Sequence, residues 1–358
     1  MNADRPRAPV RAPLETVLTR HWLKRGPLAC ALWPLSVLYG AVVAVRNAGY
    51  RLGLPGSEPA GRPVVVVGNR IAGGAGKTPT VIAVLAHLRQ RGWRPGVVSR
   101  GHGRAADGVQ AVRANTPAGA VGDEPLLIHL RSGAPVVVGR DRVAAVRALL
   151  AARPDIDVIV ADDGLQHRRL ARDVEVVVFD ARGAGNGWLL PAGPLREPID
   201  TPGGAAATLV LYNAETPSTP LAGYGTRRSL AGAAALAAWW QGEPASTAAL
   251  HALRGRPLLA CAGIAQPQRF FDQLRSAGLE VREQALADHA DFAALPWPAD
   301  TRDVIVTEKD AVKLPADRVL RERPGTRIWV APLDFSPEPA FFAALDAALA
   351  PLSPRREG

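Results

Sequence analysis

The sequence predicts an α/β fold: a parallel sheet covered by helices on both faces, a second and smaller α/β domain after it, and an apolar helix in front. Three observations carry this. Short β-branched runs alternate with helical periodicity from Arg62 to Phe179. A glycine-rich loop joins the first such strand to the first helix. A shorter β-α series then resumes at Pro257, after a stretch rich in Pro, Gly and Ala.

Taken in order, Gly26 to Val45 is uncharged and would span ~30 Å as a helix, about the thickness of a hydrocarbon core. Pro34 and Gly40 interrupt it, and Leu28, Leu32, Leu35, Tyr39 and Val42 recur at helical spacing, which favours a helix lying in a membrane interface. Arg20, Lys24, Arg25, Arg46 and Arg51 flank it with basic groups. The competing reading is a buried core helix, because Pro and small residues suit packing equally well. Arg62–Gly68 follows as a central strand, then a helix over Thr80–Arg91. Strands at Gly96–Ser99, Ala134–Val138, Val158–Ala161 and Val174–Phe179 alternate with helices such as Arg142–Ala152. A strand at Thr208–Tyr212 precedes mixed turns up to Arg256. The second series comprises strands at Pro257–Ala262, Leu279–Gln284, Asp303–Thr307 and Thr326–Ala331 and a helix over Pro267–Ala277. The C-terminal PRREG reads as a solvated tail.

The chain has 358 residues, room for about two domains. With 47% hydrophobic and 21% charged residues it lies far from the composition of disorder. Two cysteines, Cys30 and Cys261, are too few for a disulfide scaffold or a zinc site, so a reducing compartment and oxygen-held metal are expected. The net charge of +10 comes from 43 Lys and Arg, of which only Lys24, Lys77, Lys309 and Lys313 are lysines. An Arg-, Ala-, Gly- and Pro-heavy composition is what a GC-rich genome imposes, and no basic run interleaves with aromatics. Nucleic acid is therefore not the expected partner; phosphorylated ligands or an acidic lipid surface are.

The strongest local signal is the loop from Gly68 to Thr78, of which Ile71, Ala72, Gly73, Gly74, Ala75, Gly76, Lys77 and Thr78 form the nucleotide-binding core. Glycines let backbone N–H groups approach phosphate oxygens at a helix N-terminus, Lys77 neutralises the β- and γ-phosphates, and the Thr78 hydroxyl ligates Mg²⁺. Ile71 stands where the leading glycine of a P-loop belongs, so only the GGxGKT core is kept. Val158–Ala161 runs into Asp162 and Asp163, a carboxylate pair at a strand end that repels itself unless a cation sits there. Gln166 and His167 follow in the same turn. On composition alone, Asp123–Glu124, Arg196–Glu197 and Asp288–His289 are no more than acidic first turns or surface polar groups.

The ordered motifs PLSVLYG, VGNRIAGGAGKTP, VVSRGHGR, GDEP, ADDGLQHRRL, WLLPAGPLREP, AGIAQPQRFF, ADHADF and TEKDAVK resemble the tetraacyldisaccharide 4′-kinase family of lipid A biosynthesis. The resemblance implies transfer of the ATP γ-phosphate to the 4′-hydroxyl of tetraacyldisaccharide 1-phosphate, giving lipid IVA, with Mg²⁺ as cofactor and the cytoplasmic face of the inner membrane as the location. It also implies a membrane-associating segment (1–55), a P-loop domain (56–205), a linker with a β-ribbon (206–256) and a small C-terminal α/β domain (257–350). Carried over residue by residue, the catalytic aspartate falls on Asp123 and its partner histidine on His289, with Lys77 as the phosphate-binding lysine. Asp162, Asp163 and Glu197 fall on the metal side with Thr78, and Glu124, Gln166, His167 and Arg196 on supporting positions. Arg100, Arg168 and Arg169 are candidates for the 1-phosphate. Ala75 and His102 depart from the residues usual at their positions, Thr and Tyr.

Two rival classes remain on residues alone. A membrane-attached nucleotide switch shares the GGxGKT core, although the position of the second lysine found in partitioning ATPases is Ala72 here, and such a switch has no use for Asp123 and His289. A basic nucleic-acid binder is the other.

Overall fold

Strand β1 (Val64–Gly68) is buried along its whole length in the computed structural model, which describes residues 21–54, 56–104 and 107–352. Residues 1–20 of the expected membrane-associating segment and the PRREG tail lie outside the described residues. Along β1, Val64 and Val66 enter one core and Val65 and Val67 the other. This alternation requires apolar cover on both sides, which is why the strand reads as an unbroken apolar run.

The helix Lys77–Gln90 covers one face through Val81, Val84, Leu85 and Leu88. After it come β2 (Pro95–Ser99), the short β3 (Gln110–Ala111), the helix Asp123–Ser132 and β4 (Val136–Val138). The helix Arg142–Ala152 covers the opposite face, capped by Asp141, whose side chain accepts from the Val143 and Ala144 N–H groups. Strands β5 (Val158–Asp162), β6 (Val174–Asp180) and β7 (Ala207–Asn213) complete the parallel body. β1 lies between β5 and β6, so its loop leaves the sheet beside the ends of both.

Beyond β7 the chain forms β8 (Tyr224–Leu230) and β9 (Ala234–Ala235), then β10 (Leu258–Ala262), the helix Pro267–Ser276, β11 (Val281–Ala285), β12 (Asp303–Val306) and β13 (Arg327–Val330). The last strand is β14 (Leu333–Pro337), followed by the helix Pro339–Leu349. There are two sheets among the described residues, ordered β14-β8-β7-β6-β1-β5-β2-β4-β3 and β11-β10-β12-β13-β9.

Two stretches sit elsewhere than the sequence division places them. β7, expected in the linker, pairs with β6 over seven residues as part of the first sheet. β14, expected in the C-terminal domain, pairs antiparallel with β8, so the ribbon is made of strands from both sides of the small domain. The terminal helix then returns to the first domain. Phe341, Leu345 and Leu349 are buried, Phe342 stacks on His87, and Asp346 pairs with His87 and Arg91. The small unit is therefore an insertion between two ribbon strands.

The helix Pro27–Arg51 docks by a narrow stripe: Ser36 Oγ donates to the Leu189 carbonyl at 2.9 Å and accepts from the Ala192 N–H, and Tyr39 donates to the Arg196 carbonyl at 2.8 Å. Gly40 permits this approach, since a Cβ there would lie 2.9 Å from Leu189. Leu35, Leu38, Val42 and Val45 are 55–73% exposed, so this is not a buried core helix.

Candidate active site

The glycine loop is held from three sides. Ile71 is fully buried against Leu195, an apolar anchor at the position of the missing glycine. Arg182, paired with Asp180 at 2.9 Å, donates to the carbonyls of Ala72 and Gly74. Asn213, at the end of β7, donates through Nδ2 to the Ala75 carbonyl at 3.0 Å. Gly76, at φ +96°, begins the helix, and a Cβ there would lie 2.1 Å from Asn213. Lys77 is buried, with Nζ 3.3 Å from Asn69 Oδ1 and 3.6 Å from Asp163.

Asp162 and Asp163 emerge beside this loop but live in different environments. Asp162 is buried and accepts from Ser99 Oγ at 2.8 Å through Oδ2, while its Oδ1 is buried with no partner. Burial, with Glu124 and Asp163 adding negative field, pushes its carboxyl up to about 7. Burial also opposes the charge of Asp163, yet Lys77, Arg196 and Arg142 hold its carboxyl below the usual range. Arg142 is itself buried, and its guanidinium is pulled down to about 10 by desolvation against the favourable fields of Asp162 and Asp163.

Glu197 does not join this pair. Its carboxylate is engaged by Arg168 at 3.3 Å and by Gln166 at 3.4 Å, and among the described residues no three His, Cys, Asp or Glu side chains form a metal-holding group. Gln166 instead ties the loop together: it donates to the Asn69 carbonyl and accepts from Arg196, which also pairs with Asp163 at 3.2 Å. His167 accepts from the Arg142 N–H, and burial drives its pKa down to about 4, so it is neutral. Arg169 is spent on Glu58 and Asp141, whereas Arg100 is exposed.

Asp123 opens the helix Asp123–Ser132 and is buried, and His289 reaches it from the loop after β11, with Nδ1 2.9 Å from Oδ2 and 3.2 Å from Oδ1. Burial disfavours the Asp123 charge, but the bond to His289 and the fields of Lys309 and Lys313 hold the carboxyl down at about 2. Lys309 meets Glu124 at 3.1 Å and Asp288 at 3.2 Å. Lys313 pairs with Asp310 at 3.1 Å and lies 3.9 Å from Asp123. The His102 ring lies 5.7 Å from that of His289.

Two clefts meet here. One of about 410 Å³ is lined by Gly74 to Thr78, Asn213, Arg228, Phe270, Glu124 and Lys309. The other, about 700 Å³, is lined by His102, Asp123, Trp240, His289, Lys313 and Arg318. Consecutive residues, Asp123 and Glu124, thus face different clefts across one helix N-terminus. A ligand with phosphates fits the first, and a hydroxyl presented from the second arrives beside a carboxylate. Sequence reasoning did not assign Lys309, Lys313, Asn69 or Arg142, although three of the chain's four lysines fall at this site.

A family model described as tetraacyldisaccharide-1-P 4′-kinase matches residues 28–350. The chain is 81% identical to a tetraacyldisaccharide 4′-kinase of Methylibium petroleiphilum over 358 residues, covering 100% of both chains. It is 59% identical to that of Leptothrix cholodnii over 332 residues, 93% of this chain and 95% of the relative. Its fold is similar to that of an LpxK from Aquifex aeolicus, described as an apo form in complex with ATP, with TM-score 0.74 and 24% identity over 91% of this chain and 99% of that one.

Proposed function

The chain belongs to the tetraacyldisaccharide 4′-kinase family, and we propose that it works through Asp123, His289 and Lys77 at the meeting of the two clefts. It is an ATP-dependent kinase that phosphorylates the 4′-hydroxyl of tetraacyldisaccharide 1-phosphate in lipid A biosynthesis. The observation that carries the site assignment is the Asp123–His289 contact at 2.9 Å, formed beside the glycine loop by the first residue of a helix on the first sheet and a loop residue of the second.

On this reading the sugar enters the larger cleft and the nucleotide the smaller. A sugar hydroxyl is a weak acid, so its proton needs an acceptor as its oxygen attacks the γ-phosphorus. Asp123 is that acceptor, and His289 holds the carboxylate in place by donating from Nδ1. The new bond joins the 4′-oxygen to phosphorus, the bond from γ-phosphorus to the bridging oxygen breaks, and ADP departs with the electron pair. Lys77 and the loop N–H groups meet the charge spread over the phosphoryl oxygens.

Mg²⁺ fits the residues present: the partnerless buried Oδ1 of Asp162 is a donor in want of a cation, and Thr78 begins the same helix as Lys77. One or two carboxylates suffice when substrate phosphates complete the shell, so the engagement of Glu197 elsewhere does not oppose this. Bound there, the ion would neutralise phosphate charge; Asp163, paired with Lys77, keeps that lysine aimed at the loop.

The exposed apolar face of Pro27–Arg51 supports attachment to the cytoplasmic face of the inner membrane, where ATP and a multiply acylated substrate are both within reach. The test is transfer of labelled γ-phosphate from ATP to tetraacyldisaccharide 1-phosphate in detergent micelles, comparing wild type with Lys77→Ala and Asp123→Ala, with and without Mg²⁺. A Mg²⁺-dependent lipid product that collapses in both variants supports the assignment; ATP turnover without lipid product points to a nucleotide switch.

A further inference from the structure

We propose that Lys309 is a positioning residue for this pair, one that fixes the tautomer of His289 and keeps its Nε2 free of a proton, so that the ring meets Asp123 as a neutral Nδ1–H donor. The proposal rests on the reading of Asp123 and His289 given above.

Lys309 Nζ lies 3.2 Å from His289 Nε2. An ammonium has three donors and no lone pair, so the contact is favourable only when Nε2 brings its lone pair. The single proton of a neutral imidazole is then on Nδ1, the nitrogen facing Asp123. The three donors have three acceptors around them: Glu124 at 3.1 Å, Asp288 at 3.2 Å and His289. Burial opposes the lysine charge, but Glu124, Asp288 and Asp123 together hold its pKa above the ordinary value. Lys309 therefore stays cationic, and a second proton on His289 would set two cations side by side.

The backbone at His289 is also constrained. His289 sits at φ +59°, a conformation that non-glycine residues avoid, with its N–H donating to Asp288 Oδ1 at 3.0 Å. Every packed element contributes a charged or titratable group here: Asp123 and Glu124 from one helix, His102 from the loop after β2, Asp288 from its own loop, and Lys309 and Lys313 from the TEKDAVK segment. The bond to Asp123, with the fields of Asp123 and Asp288, outweighs burial and Lys309, so the His289 pKa stands above its ordinary value, and Lys309 is one of the forces that limit the rise. In a chain with 43 basic residues and only four lysines, a lysine here also suits the geometry, because the three donors of one ammonium nitrogen have three acceptors around them.

The experiment compares the pH dependence of kcat/KM for wild type, Lys309→Met and Lys309→Arg. Wild-type activity falls on the acid side as His289 takes its second proton. In Lys309→Met that limb moves up by about 1–2 pH units, so activity lost at neutral pH returns at higher pH, and Lys309→Arg leaves the limb in place because the charge is kept. A uniform loss with an unmoved limb in Lys309→Met means a structural role only and overturns the proposal. A measurement on the unmutated protein guards against misfolding: ¹⁵N NMR of histidine-labelled enzyme, with the His289 signals identified by their loss in His289→Gln. Above the acid limb of the activity profile, a protonated Nδ1 with a bare Nε2 supports the proposal; the opposite tautomer or a persisting imidazolium overturns it. If Asp123→Asn and His289→Gln keep full activity, the underlying pair assignment fails; if they lose it while the Lys309→Met limb stays put, only the role of Lys309 fails.

Discussion

Asp123 and His289 lie 166 positions apart in the chain and meet at 2.9 Å, one from a helix on the first sheet and the other from a loop of the second. Asp123→Asn and His289→Gln should each lower kcat by about 10²–10⁴-fold with little change in ATP binding, measured by transfer rate and nucleotide titration.

The same pair has a pH signature in stability. The Asp123 carboxyl is held at about 2, below its unfolded value of about 4, so its stabilising contribution is present above the unfolded pKa and lost as pH falls through the folded one. The His289 pKa is raised, so its contribution is complete below the unfolded value of about 6.5 and lost as pH rises through the folded one. The difference in Tm between wild type and Asp123→Asn should be largest between pH 4 and 7 and shrink toward pH 2. A difference independent of pH would contradict an ionised Asp123 in the folded protein.

Asp162 supplies a prediction of opposite sign. Its carboxyl is pushed up to about 7 by burial and by Glu124 and Asp163, so near neutrality a proton competes with any cation for it. The Mg²⁺ concentration giving half-maximal activity should fall as pH rises from 6 to 8, and Asp162→Asn should raise it and flatten that dependence. A half-saturation independent of pH in the wild type would remove Asp162 from the metal.

Much of this architecture is legible in the sequence for a physical reason. Strands buried on both faces are apolar over most of their length, so β1, β5 and β6 announce themselves even with Glu175 inside β6, and the glycine loop is marked by left-handed backbone at Gly73 and Gly76. The ribbon is not legible. β8 is half-exposed and carries Arg227 and Arg228, and its partner β14 follows only after the whole small domain, so neither periodicity nor proximity marks the pairing. The resemblance puts Glu197 on the metal side, but its setting against Arg168 and Gln166 is made by the fold and cannot be read from residue type. Lys309 could have been suspected from the scarcity of lysine, but its role is set by Glu124, Asp288 and His289, which only the fold brings together.

Gly76→Ala should abolish nucleotide binding. The methyl group would fall 2.1 Å from Asn213 Nδ2, and the residue would have to hold φ +96° with a side chain. Removing the opposing side chain in Gly76→Ala/Asn213→Ala relieves the collision but not the backbone strain, so binding should return only in part, as read by ATP titration calorimetry.

The helix Pro27–Arg51 exposes Leu38 at 64% and Val42 at 61% on the side away from its docking stripe, while Ser36 and Tyr39 bind the segment leading to Arg196. Apolar surface of this extent gains free energy when it enters a lipid interface, at roughly 25 cal/mol per Å² buried. Leu38→Glu/Val42→Glu places two charges on that face without touching the docking contacts. The variant should therefore lose sedimentation with anionic vesicles, keep its thermal stability and ATP affinity, and phosphorylate substrate in detergent micelles more effectively than substrate in vesicles. Ser36→Ala should instead lower stability by about 1–3 kcal/mol, because it removes the bond to the Leu189 carbonyl and leaves the buried Ala192 N–H without its acceptor, while leaving vesicle binding intact. The two variants together separate the membrane face from the docking face, and vesicle binding that survives both charges would place the lipid contact on another surface.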